Sequence, residues 1–170
     1  TFTDQNLTNA ALAITVTNTA GAAFGTTAIG TAATFTGGSG ADAVVLGATT
    51  KTITMGDGND TVTYGGAAGV GGSVAAGGGT GDKIIMTAAQ AVAADDNSTF
   101  NSTFTGFETL RLTTVAAAGT TTNLAGLNNV NKVELMLGGN HASTAIISEL
   151  VDGGTVETYA TSIGITVQID

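Results

Sequence analysis

Gly37-Gly38-Ser39-Gly40-Ala41-Asp42, Gly56-Asp57-Gly58-Asn59-Asp60 and Gly77-Gly78-Gly79-Thr80-Gly81-Asp82 decide the fold. Each is a glycine-rich turn ending on an aspartate. Each runs at once into a short apolar segment: Ala43-Val44-Val45, Thr61-Val62-Thr63 and Lys83-Ile84-Ile85. The phase is G-G-x-G-x-D-x-U-x with U a large apolar residue, the nine-residue repeat of calcium-binding parallel β-helices. Val44, Ile53 and Val62 occupy successive U positions. The unit between, residues 46–54 (LGATTKTIT), keeps the strand and lacks the acidic turn. A further strand is expected at Ser73-Val74-Ala75.

Successive strands of a two-sided roll lie on opposite sheets, so alternate turns stack. Turns 37–42, 55–60 and 77–82 should form one column. Residues 46–51 and 64–72, which contain no carboxylate, should form the opposite one. The expected fold is all-β, a parallel β-roll or β-helix solenoid, in one domain over residues 1–170 with its calcium block at 37–86.

Calcium takes six to eight oxygen ligands at about 2.3–2.6 Å. Glycine turns can aim several carbonyls at one point because glycine adopts φ values that other residues avoid. Each aspartate adds charge. The residues expected to hold the metal are Gly38, Gly40 and Asp42, then Gly56, Asp57, Gly58 and Asp60, then Gly78, Thr80 and Asp82. Three stacked turns leave two gaps and so imply about two ions, one using Asp42 and Asp60, the other Asp60 and Asp82. Asp57 either joins a shell or faces solvent, and Thr80 stands where the pattern asks for glycine. The simpler alternative is a roll with ordinary Gly/Asp turns and no metal.

Composition agrees with a stack of strands. Of 170 residues, 42% are apolar and 26 are Gly, with no Pro. Charged residues are 10%, against a usual quarter. The net charge is −9, and the basic residues are only Lys51, Lys83, Arg111 and Lys132. That argues against nucleic acid, which needs a basic footprint. No cysteine is present to form a disulfide, and no apolar run reads as a membrane span. The start at Thr1 rather than Met is what processing or excision from a larger protein would leave.

Outside the block, residues 12–17 and 31–36 read as strands, as do 107–112 and 130–137, and 164–170 is a clean alternating strand. Residues 87–97 read equally as one or two helical turns or as a loop, 95–98 as a polar loop, and 142–151 as a short helix or another coil edge. The last strand has no obvious cap, and bare solenoid ends expose edges. This suggests a piece of a longer solenoid or a subunit that stacks on its neighbour.

The block resembles the RTX calcium-binding repeats of secreted bacterial proteins. Residues 34–64 (TFTGGSGADAVVLGATTKTITMGDGNDTVTY) and 106–112 (GFETLRL) are similar to calcium-dependent surface-layer proteins of Caulobacter. The resemblance implies an extracellular lattice or filament protein at the bacterial cell surface, secreted by a type I system, with a β-solenoid ordered by calcium. The expected partners are further copies of the chain, together with cell-surface polysaccharide. The alternative is a calcium-dependent adhesin or targeting module of a larger secreted protein.

An enzyme is not expected. A β-helix polysaccharide lyase or epimerase would need cationic and acid–base groups that this chain scarcely has. His141 is the only histidine, without cysteine to share a metal. Glu134, Glu149, Asp152 and Glu157 read as exposed solubilising charges rather than a glycoside-processing pair. Asp95-Asp96 reads as a solvated loop in preference to an extra calcium site. Asn6, Asn97 and Asn101 each begin an N-x-S/T triplet.

Overall fold

The computed structural model describes residues 12–95, 97–114, 121–124, 127, 129–136, 145–159 and 165–168. It is a parallel β-solenoid of about six turns, with few helices. The strands are β1 (Ala13–Thr15), β2 (Thr34–Thr36), β3 (Ala43–Leu46), β4 (Thr52–Thr54), β5 (Thr61–Tyr64), β6 (Ser73–Ala75) and β7 (Lys83–Met86). Two helices follow, α1 (Ala88–Ala94) and α2 (Ser98–Thr103). Then come β8 (Phe104–Thr105), β9 (Thr109–Leu112), β10 (Thr121–Asn123), β11 (Lys132–Leu135), β12 (Ala145–Ser148), β13 (Thr155–Thr158) and β14 (Ile165–Gln168).

One sheet has the order β1-β2-β4-β6-β8, the second β13-β11-β9-β7-β5-β3, and a third β10-β12-β14. Consecutive strands through the acidic block therefore alternate between two sheets, as the repeat predicts. The apolar positions stack in register. Val44, Val62, Ile84, Leu110, Val133 and Val156 form one inward row. Ile14, Phe35, Ile53, Val74 and Phe104 form the facing row. Most of these side chains are fully buried, and the two rows are the core. A parallel strand cannot slip by one residue without turning this row to solvent, so the pattern fixes the register.

The coil is not constant. It takes 18 residues from Ala43 to Thr61, 22 from Thr61 to Lys83 and 26 from Lys83 to Thr109. The longest coil carries the helices. Helix α1 starts on a capping box in which the Thr87 hydroxyl accepts from the Gln90 amide N–H while the Gln90 side chain accepts from the Thr87 N–H. Its buried face is Ala88, Ala91 and Ala94. Asn97 starts α2 by accepting the N–H groups of Thr99 and Phe100 through Oδ1. The stretch 87–97, open between helix and loop, is thus mostly helix. Residues 98–103 form a helix that the polar composition of STFNST did not announce. Of the segment 142–151, residues 145–148 form strand β12 and 149–151 are irregular.

His141, Asn6 and the Asp96 half of the Asp95-Asp96 pair lie outside the described residues, as do residue 137 of the expected strand 130–137, residues 142–144 of the segment 142–151, and residues 164, 169 and 170 of the expected strand 164–170.

Candidate metal column

Turns 37–42, 55–60 and 77–82 do stack on one edge. The pairing of Ala43 with Thr61 and of Thr61 with Lys83 places Asp42, Asp60 and Asp82, each the residue before its strand, at one register position. The turns stack too closely for side chains. A Cβ on Gly56 would lie 2.2 Å from the Gly38 carbonyl oxygen, and one on Gly77 would lie 2.0 Å from that of Gly56. Both residues also take positive φ, +100° and +101°, a region that glycine enters at little cost.

The three aspartates are 1%, 0% and 0% exposed, and they form a hydrogen-bonded ladder. The Asp42 amide donates to Asp60 Oδ1 at 2.7 Å, the Asp60 amide donates to Asp82 Oδ1 at 2.7 Å, and the Asp82 amide donates to Glu108 Oε2 at 2.9 Å. At the other end the Ala22 amide donates to Asp42 Oδ1 at 2.6 Å. Each carboxylate thus closes the backbone of the preceding turn.

Glu108 is a member of this column that sequence reasoning passed over. It immediately precedes β9, as the three aspartates precede β3, β5 and β7. That position was the available signal. It was obscured because the helical insertion breaks the spacing and no glycine-rich run leads into it.

The other carboxylate oxygens separate the three rungs. Asp42 Oδ2 accepts the Gly38 amide at 3.1 Å. Asp60 Oδ2 and Asp82 Oδ2 are buried and accept no hydrogen bond. Burial raises the Asp60 carboxyl to about 6, against its bond from the Asp42 amide, and the charges of Asp82, Asp42 and Asp57 add to the rise. Burial likewise raises Asp82, opposed by the Asp60 amide. A buried charged oxygen without a partner is costly, and two of them stand in adjacent rungs.

The residues present fit calcium. The metal needs hard oxygen donors, and each rung offers a single carboxylate. Among the described residues no three acidic or imidazole groups converge, so backbone carbonyls would have to complete the shell. The glycine turns carry carbonyls with capacity to spare. Gly38 O, Gly56 O and Gly78 O each accept one backbone N–H from a neighbouring turn, at 2.8, 2.7 and 2.7 Å, and each keeps a second lone pair. Asp82 Oδ2 lies 3.2 Å from where a Gly79 Cβ would stand, so a side chain there would crowd the oxygen.

The remaining expected ligands divide. Gly40 is buried in the first turn and Gly58 half-buried in the second. Asp57 and Thr80 are exposed on the rim. The Asp57 backbone pairs with Gly78 in a parallel bridge, and the Thr80 amide donates to Asn59 Oδ1 at 3.4 Å.

Glu134 corrects an expectation. It is not an exposed solubilising charge but 4% exposed. Three of the chain's four basic residues gather on it: Arg111 Nε at 2.6 Å, Lys83 Nζ at 3.1 Å and Lys132 Nζ at 3.5 Å. Burial works to raise its carboxyl, but the hydrogen bonds from Arg111 and Lys83 prevail and hold it below its ordinary value. Asp152 and Glu157 are exposed, as expected, and Glu149 is half-buried.

No protein-family model matches the chain, and a search of curated proteins finds no match.

Proposed function

We propose that this chain is an extracellular structural protein, a surface-layer or filament subunit, whose solenoid is ordered by calcium held in the acidic turn column. The observation that carries the calcium half of this reading is the pair of buried oxygens, Asp60 Oδ2 and Asp82 Oδ2, that accept no hydrogen bond in turns walled by glycine carbonyls. Asp60, Asp82 and the carbonyls of Gly38, Gly56, Gly58 and Gly78 would hold the metal. Bound calcium would supply the countercharge that the column lacks and draw successive turns together.

The assembly half rests on the RTX and surface-layer resemblance. Neutralising the column would hold the coils tightly together and hence set the shape offered to neighbouring copies. Purified protein imaged by negative-stain electron microscopy, with calcium and then with a chelator, tests it. Ordered sheets or filaments that disappear on chelation are expected. A protein that stays monomeric in millimolar calcium would overturn the assembly half, leaving a calcium-dependent module of a larger secreted protein.

A further inference from the structure

The helical insertion does more than lengthen one coil. It lies on the edge opposite the acidic column and, with residues of the 64–72 segment, walls a partly open cavity of about 280 Å³. Three aromatic rings line it: Tyr64, Phe100 and Phe104. Phe100 and Phe104 stack at 4.7 Å, and Tyr64 meets both edge-on, at 5.8 and 5.3 Å. Asn97, Thr99 and Thr103 supply polar groups, and the rest of the lining is alanine.

The polar groups have capacity to spare. Asn97 Oδ1 is engaged in capping α2, which leaves its NH₂ group to donate. Thr103 Oγ1 donates to the Thr99 carbonyl at 2.7 Å and can still accept. The Thr99 hydroxyl can do both.

This combination restricts the ligand. A cavity of about 150 Å³ already takes benzene, so the space here admits a larger single ring. No lining residue is charged. A cation would find no carboxylate, and an anion would meet no basic residue on a chain of net charge −9, which repels it. A wholly apolar ring would make no use of the amide and hydroxyl groups at the cavity's rim, where Asn97 and Thr99 are exposed. A ring with an apolar face and a hydroxylated edge satisfies both halves of the lining.

We propose that the cavity between the helical insertion and residues 64–68 binds one neutral sugar ring. The sugar's C–H face meets the part of the Tyr64, Phe100 and Phe104 cluster that lines the cavity, and its hydroxyl groups meet Asn97, Thr99 and Thr103. This site does not depend on the calcium reading, and it gives the chain a carbohydrate contact on the edge away from the metal column.

Saturation-transfer NMR on the full chain in calcium tests it. The probes are the methyl glycosides of glucose, galactose, mannose and N-acetylglucosamine, with glucuronate and benzene as contrasts. At least one neutral glycoside should receive saturation, and glucuronate should not. Ala93 lines the cavity from an exposed position, so Ala93→Trp fills it without overpacking the core and should weaken glycoside binding about tenfold or more. Thr99→Val keeps the shape and removes the hydroxyl; it should cost the glycoside about threefold or more and leave benzene unaffected. Far-UV circular dichroism verifies that each variant is folded. Absence of transfer to every neutral glycoside, benzene binding alone, or unchanged glycoside binding in Thr99→Val would overturn the proposal.

Discussion

Replacing Asp60 by Asn should change the sign of its effect with calcium. The Asn side-chain oxygen can still accept the Asp42 amide, so the rung stays closed; what disappears is a buried charge. Burial and the neighbouring carboxylates raise the Asp60 carboxyl from 3.8 to about 6. At neutral pH and without metal, that shift corresponds to roughly 3 kcal/mol of cost in keeping the group ionised, at about 1.4 kcal/mol per unit. Burying the new NH₂ group where Oδ2 stood returns about 1–2 kcal/mol of this if it meets no ideal acceptor. The calcium-free variant should therefore be about 1–2 kcal/mol more stable than the parent, a rise of roughly 2–8 °C in Tm for a chain of this size.

With calcium the order reverses. At about 1 mM calcium and a Kd near 0.1 mM, each ion contributes on the order of 1.4 kcal/mol, and the variant forfeits the sites that need Asp60. Differential scanning calorimetry at pH 7.5, in chelator and in millimolar calcium, reads both arms. A variant destabilised in chelator, with a calcium-induced rise in Tm equal to the parent's, would refute the reasoning. It would mean that Asp60 is an ordinary structural cap with no metal role.

Further outcomes follow from the same geometry. The raised Asp60 and Asp82 carboxyls mean that the folded chain binds protons more tightly than the unfolded one. The Asp60 contribution to the calcium-free protein is present at about pH 4 and lost as pH rises through about 6, so the stability gap between Asp60→Asn and parent in chelator should widen over that window. Denaturant titrations at several pH values measure it, and a constant gap would contradict it. Gly77→Ala places a Cβ 2.0 Å from the Gly56 carbonyl oxygen at a φ of +101° and should cost about 2 kcal/mol or more with or without calcium; an unchanged Tm would show that the turns can separate freely. Glu134→Gln leaves Arg111 and Lys83 without their shared carboxylate. Because those cations are partly exposed, the loss should be about 1–2 kcal/mol by chemical denaturation, less than for a fully buried pair. Glu108→Ala strips the acceptor from the Asp82 amide and should cost about 1–2 kcal/mol, whereas Glu108→Gln should recover most of it in the same assay.

The sequence carried the fold because the repeat carries it. Once Val44, Ile53 and Val62 fall in phase, the alternation of sheets and the stacking of three acidic turns follow from geometry. The phase runs out at Lys83. Beyond it the coil lengthens to 26 residues, and Glu108, the fourth rung of the ladder, no longer sits behind a recognisable turn. Helix α2 stayed hidden because its six residues bury only Phe100, too little for a helical period to show. The Glu134 cluster was hidden for a different reason. Lys83, Arg111 and Glu134 come from β7, β9 and β11, and only the register of those three strands brings them together. The difference between Asp42, with both oxygens occupied, and Asp60 and Asp82, with one each left over, depends on the amide of Gly38. Spacing between motifs carries no trace of it.

Isothermal titration calorimetry of the chelator-treated chain with calcium tests the central claim most directly. The account predicts saturable binding of about two ions per chain, with a matching rise in thermal stability, and diminished binding in Asp60→Asn. A chain that takes up no calcium at millimolar concentration, and unfolds at the same temperature with and without chelator, would contradict it.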